Sequence, residues 1–250
     1  MRLNSAWDTM KSTAALFAAV GMLCLPSAHA GPADYVYTPT VEKGEKEIDF
    51  KYGTQDSDPR KSLGSVGLGY GANDWWFTEV YVKYAKEGGS TRYDALEWEN
   101  KFQLTETGKY PVDIGFITEI EIPRDRDEGI ELKVGPLFQT EFGKLQLNAN
   151  ILFEKRFDAA VSTPTETGYQ WQAKYRWLPA FEYGLQGFGG TGPWNDLDAS
   201  GDQSHKLGPA IFGKFHAGDR QFIKYNAAWL LGVSDAAPDN TFRLQVEYEF

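Results

Sequence analysis

The sequence predicts an all-β protein: a transmembrane antiparallel up-and-down β-barrel of about twelve strands over residues 45–250. Three observations lead there. About twelve runs of roughly ten residues alternate apolar and polar side chains, the two-residue period of a strand whose two faces meet different solvents. The last of them, 242–250, alternates without a break, with Phe242, Leu244, Val246, Tyr248 and Phe250 on one face and Arg243, Gln245, Glu247 and Glu249 on the other. Finally, no stretch after residue 30 supplies the roughly 20 apolar residues that a bilayer-spanning helix needs. In lipid every backbone N–H and C=O must be paired within the protein, which leaves closed sheets as the remaining solution.

Taken in order, the chain begins with Arg2 and Lys11 ahead of an apolar run, 14–26, and then Ala28-His29-Ala30, small residues at the two positions a signal peptidase reads. Residues 1–30 are therefore expected to be a signal peptide, cleaved between Ala30 and Gly31. The only cysteine, Cys24, lies inside this run, and Gly21-Met22-Leu23 lacks the small residue expected before a lipidated cysteine. Without residues 1–30 the chain has no thiol, which excludes disulfides, thiolate metal ligands and cysteine nucleophiles. Its formal charge moves from −10 to −11, because two bases and one acid are removed. An acidic chain with no basic cluster disfavours nucleic acid as a partner.

Residues 31–44 contain Pro32 and Pro39 and do not alternate, so they are not expected to form a barrel strand. Two readings stay open: a periplasmic tail, or a lumen plug packing Tyr35, Tyr37 and Glu42 against the inner wall.

The runs that follow are 45–55, 61–70, 74–86, 91–105, 111–123, 129–142, 144–157, 167–177, 181–189, 205–215, 221–234 and 240–250. Tight turns rich in Gly, Asn and Asp are expected at 71–73, 107–109, 143, 178–180 and 218–220. Longer or more charged links are expected at 56–60, 87–90, 124–128, 158–166, 190–204 and 235–239. Short turns alternate with long links, an order that places both termini on the short-turn side.

Parity divides each run. In the fourth, Leu96, Trp98, Phe102 and Leu104 oppose Glu97, Glu99, Lys101 and Gln103; in the eighth, Tyr169, Trp171, Tyr175 and Trp177 oppose Gln170, Gln172, Lys174 and Arg176. Trp and Tyr gather near run ends, where a bilayer interface would lie. A soluble sandwich would also alternate, but its aromatics would favour the middle of runs. On the polar face, runs three to six carry Glu79, Glu97, Glu99, Asp113, Glu119, Glu121, Glu131 and Glu141. Runs seven to eleven carry Arg156, Lys174, Arg176, Lys206, Lys214 and Lys224. One lumen wall is therefore expected to be acidic and the facing wall basic, either interlocked as salt bridges or flanking a wet constriction.

The ending at Phe242, Leu244, Val246, Tyr248 and Phe250 resembles the C-terminal assembly signal of Gram-negative outer-membrane β-barrel proteins. That resemblance implies an outer-membrane location, recognition by a barrel-assembly machinery, and contact with outer-membrane lipid and lipopolysaccharide. It names an architecture with many roles.

Chemistry on such a barrel would need a constellation that the sequence lacks. After residue 30 there are two histidines, His205 and His216, too few and too far apart for a metal site. Ser204 and His205 are adjacent on a strand, so they point to opposite faces and cannot be a nucleophile and its base. The stretch 196–202 resembles the first half of a calcium loop, but Leu207 stands where the bidentate glutamate belongs. No enzyme, cofactor or metal is expected. The expected function is a narrow channel or uptake pore for a small solute with a charged, bipolar lumen, the alternative being a non-conducting structural or interaction barrel.

Overall fold

The computed structural model describes residues 31–56, 61–87 and 89–250, so the predicted leader and its cleavage junction at Ala30 lie outside the described residues. Twelve strands follow one another: β1 (Lys46–Gln55), β2 (Lys61–Asn73), β3 (Trp76–Glu87), β4 (Ser90–Gln103), β5 (Asp113–Pro123) and β6 (Ile130–Phe142). The second half contains β7 (Leu145–Phe157), β8 (Glu166–Leu178), β9 (Phe181–Pro193), β10 (Ser204–Gly218), β11 (Gln221–Gly232) and β12 (Asn240–Glu249). Each is antiparallel to its sequence neighbours, and β12 returns to β1 to close the cylinder. Closure pairs Ile48 with Tyr248, Phe50 with Val246 and Tyr52 with Leu244, so the terminal oily set continues the outer face of β1.

Burial is inverted relative to a water-soluble domain. Leu68, Phe142 and Trp229 stand 65, 65 and 58% exposed, while Asp49, Glu79, Glu99 and Arg243 are 1–2% exposed. Only a molecule with hydrocarbon outside and its polar groups turned inward gains from this arrangement. Aromatic side chains cluster on the outside near the short-turn end, which carries the C-terminus, where Trp75 meets Phe102, Trp177 meets Phe181 and Phe215 meets Tyr225. These are the amphipathic rings that favour a membrane–water interface.

Two links differ from expectation. The β4–β5 connection is a long one, 104–112, on the short-turn end. Pro111 cannot donate to a ladder, and the excursion is held by Ile114 N donating to Thr105 Oγ1 (2.8 Å) and Gly108 N donating to the Asp113 carboxylate (2.7 Å). Conversely β3 and β4 are joined by 88–89 alone, on the long-link end. Gly89 at φ +89° supplies the left-handed conformation that so short a hairpin requires.

The inner face is also less uniformly polar than its alternation suggests. Ile117, Leu137 and Leu152 on β5–β7 form one buried apolar cluster; Phe188, Ala210, Phe212, Ala228 and Leu230 on β9–β11 form another. What they pack against is residues 31–44.

Candidate functional site

The segment before β1 runs lengthwise inside the cylinder. At the end carrying the long links, the Pro32 carbonyl lies on Gly53, where a Cβ would fall 1.9 Å from its oxygen, so only glycine admits the chain there. Gly31 N donates to the Asp34 carboxylate at 2.9 Å. Midway, the Tyr35 hydroxyl donates to Glu99 (2.7 Å) and the Tyr37 hydroxyl to Glu119. The Tyr37 backbone is gripped by Asn150 Nδ2 at its carbonyl (3.1 Å) and by Gln170 at its N–H (3.4 Å). Further along, Val41 N donates to Gln103 (2.8 Å), and Gly44 N donates to the Gly71 carbonyl (2.8 Å), which joins the segment to β1.

Val36 and Tyr37 point into opposite walls. Val36 enters the Phe188/Phe212/Leu230 cluster and Tyr37 the Ile117/Leu137/Leu152 cluster, leaving them 6 and 5% exposed. Burial, together with the Glu119 charge, pushes the Tyr37 hydroxyl well above its ordinary value, so it remains a donor. The ammonium of Lys51 lies 3.6 Å from the Tyr35 ring centroid and 3.7 Å from that of Tyr81, a cation–π sandwich.

Between this segment and the short-turn end lies a cavity of about 760 Å³. Tyr35, Val36 and Tyr37 form part of its lining, and so do the rim residues Lys214 and Leu178. Its charged lining comprises the carboxylates Glu42, Glu45, Glu47, Glu79, Glu99, Glu141, Glu182 and Glu247 against the bases Lys101, Lys174, Arg176, Lys214 and Lys224.

The acidic set from the sequence occupies β3 to β6. Glu79, Glu97, Glu99, Asp113 and Glu119 are buried, Glu121 and Glu131 half-buried, and Glu141 is exposed at the rim. This sector carries its own cations: Lys83 bridges Glu97 (2.9 Å) and Glu121 (2.5 Å), and Lys133 bridges Glu119 (3.1 Å) and Glu154 (3.5 Å). The basic set spans β7 to β11, with Lys206 buried and Arg156, Lys174, Arg176, Lys214 and Lys224 half-buried.

The two sets meet at the seam of β6 with β7 and β8. There Arg156 pairs with Glu131 (3.0 Å) and Arg176 with Glu141 (2.5 Å). Lys174 turns instead to Glu182 (3.2 Å), Lys214 to Glu249 (3.0 Å), and Lys224 to Glu45 (3.5 Å), Glu247 (3.6 Å) and Glu249.

The last three partners belong to a group that the sequence reading assigned to neither lumen wall: Glu45, Glu47, Asp49 and Lys51 leading into and along β1, and Arg243, Glu247 and Glu249 on β12. Parity would have found them, since they alternate with the oily residues already singled out. Arg243 donates to Gln186 (2.8 Å) beneath Phe188. Carboxylate oxygens of Glu45, Glu47 and Glu249 lie within 4.8 Å of one another, and the Lys224 ammonium bridges two of the three. His205 bonds the Tyr169 hydroxyl (2.8 Å) and Gln203 (3.1 Å).

No family model and no curated protein matches the sequence. The structure is similar to an outer membrane channel from Pseudomonas putida at TM-score 0.61 and 13% identity, covering 86% of this chain and 98% of that one. It is similar also to the KdgM porin (TM-score 0.53, 9% identity, 82% and 99% coverage) and the NanC porin (0.53, 10%, 82% and 100%). At such identities the likeness is one of fold, and it agrees with the inverted burial and the closed strand order. In fold, the chain is a closed twelve-stranded antiparallel β-barrel similar to these outer-membrane channels and porins.

Proposed function

We propose that this barrel is a narrow channel for small solutes, exported by a cleaved leader, with residues 31–44 acting as a stopper inside its lumen. The observation that supports this most is the cavity of about 760 Å³, lined by charged and amide side chains and ending at Tyr35–Val36–Tyr37. A wall of this polarity has no use if it meets only packed protein, whereas a wet vestibule needs it. The similar solved structures being channels favours the same reading.

Eight carboxylates face five bases in the lining, so the vestibule favours cations. The short-turn end, which carries the C-terminal strand read by the assembly machinery, is the periplasmic side, and the outer rim touches lipopolysaccharide. Gly31 lies instead toward the long-link end, contrary to the expectation that both termini share the short-turn side, because residues 31–44 run the length of the lumen before entering β1. The filled lumen around Val36 and Tyr37 also favours a second reading, a closed scaffold barrel.

Planar bilayers decide between them. The intact protein is expected to give rare current steps, and a variant lacking residues 31–43 frequent ones with cation selectivity. A folded deletion variant that passes no current would refute the channel.

A further inference from the structure

The two apolar clusters are out of place in a pore. A lumen that is wet when open gains nothing from Ile117, Leu137 and Leu152 on one side or Phe188, Phe212 and Leu230 on the other, because apolar groups facing water are unfavourable. Both are buried here, Ile117 and Leu137 to 0% exposure, by Tyr37 and Val36. Each therefore has an apolar occupant while the stopper is seated and lacks one when it leaves. We infer that the clusters are the two halves of a solute site that recognises protonated arylalkylamines, and that the stopper closes the channel by occupying that site with its own side chains. This rests on the channel reading above.

The seated segment displays what the site accepts. The Tyr37 ring fills the β5–β7 cup while its hydroxyl donates to Glu119 at the rim, and the Tyr35 hydroxyl donates to Glu99 alongside. A ligand that replaces them needs an aromatic group and hydrogen-bond donors to set against carboxylates. Its charge follows from the approach: the vestibule carries eight carboxylates against five bases. Ammonium groups are already held over rings in this lumen, Lys51 over Tyr35 and Tyr81, and Lys174 at 5.4 Å from Phe212. When Tyr35 withdraws, the Glu99 carboxylate that its hydroxyl bonded loses that donor.

Binding of tyramine to the full-length, detergent-folded protein tests this by titration calorimetry, with ethylamine (charge without ring) and 4-hydroxyphenylacetate (ring with opposite charge) as comparisons. A site held shut by its own chain binds weakly in proportion to the open fraction. Val36→Ser/Tyr37→Ser should therefore bind tyramine about a hundredfold more tightly than wild type, and neither comparison compound should follow. Adding Leu137→Asn should abolish the gain. If the double variant shows no heat-dependent gel shift, Val36→Ser alone carries the same test with a smaller gain. Equal binding of tyramine and ethylamine, or a gain that survives Leu137→Asn, overturns the inference. Current without tyramine binding refutes this site alone; tyramine binding with no current in any variant refutes the channel reading.

Discussion

Replacing Tyr37 by Ala should unseat the stopper while leaving the cylinder intact. The ring is 5% exposed and packs on Ile117, Leu137 and Leu152, two of them fully buried. Truncating a buried aromatic to alanine costs about 3–5 kcal/mol where the space cannot refill. The vestibule can admit water to the vacated cup, so the lower figure, about 3 kcal/mol, is the appropriate one. The hydrogen bond to Glu119 adds little, because Lys133 at 3.1 Å and entering water still satisfy that carboxylate. Three kcal/mol lowers the ratio of closed to open states by about two orders of magnitude.

The assay is open probability in single-channel recordings, with retention of the heat-dependent gel shift showing that the barrel has folded. Tyr70→Ala is the control: it removes the same side chain from the outer face, where Tyr70 is 47% exposed. Folded Tyr37→Ala protein with the open probability of wild type and of Tyr70→Ala would refute the reasoning.

The other predictions follow from the same geometry. Gly53→Ala should raise open probability, since its Cβ would strike the Pro32 backbone at 1.9–2.1 Å and no rotamer relieves that; an unchanged record would mean that the segment does not pass there. In a potassium chloride gradient the 31–43 deletion should show a cation-selective zero-current potential. Glu141→Gln and Glu182→Gln, which release Arg176 and Lys174, should move it toward anions, and a shift the other way would contradict the vestibule charge count. Leu68→Arg on the outer face of β2 should destabilise refolding into lipid vesicles by about 2–4 kcal/mol in urea titrations. Lumen-facing Gln172→Lys should cost much less than that, and equal costs would mean the two faces had been exchanged. Mass spectrometry of protein taken from outer membranes should find Gly31 as its first residue.

Much of the architecture is readable in the residues because a strand's two faces follow a period of two regardless of what lies around it. The outer set on β4, Leu96 and Trp98, and the terminal set from Phe242 to Phe250 are each identifiable from their own few neighbours. Link lengths were less legible. Nothing local distinguishes the hydrogen-bonded excursion 104–112 from a tight turn at 107–109, because its stability comes from Asp113 and Ile114 returning beside it. Parity alone also made the inner face polar and overlooked Ile117, Leu137 and Leu152. An apolar residue on the inner face of one strand reads as an exception until its partners from other strands stand next to it.

Alternation, a terminal aromatic strand and the want of a spanning helix are properties of short windows, so the order of residues alone already implies a cylinder with hydrocarbon outside and charge inside. Where residues 31–44 go, and which charges meet, follows from the closed barrel and not from any window of the chain. Closing the cylinder brings Tyr37 of an irregular segment to Asn150, Gln170 and Glu119, residues distant in sequence. The physical reason is that an irregular, proline-bearing segment has no periodicity to announce a partner. Its place is set by the cups and acceptors left unfilled on the inside of a barrel that the other residues have already specified.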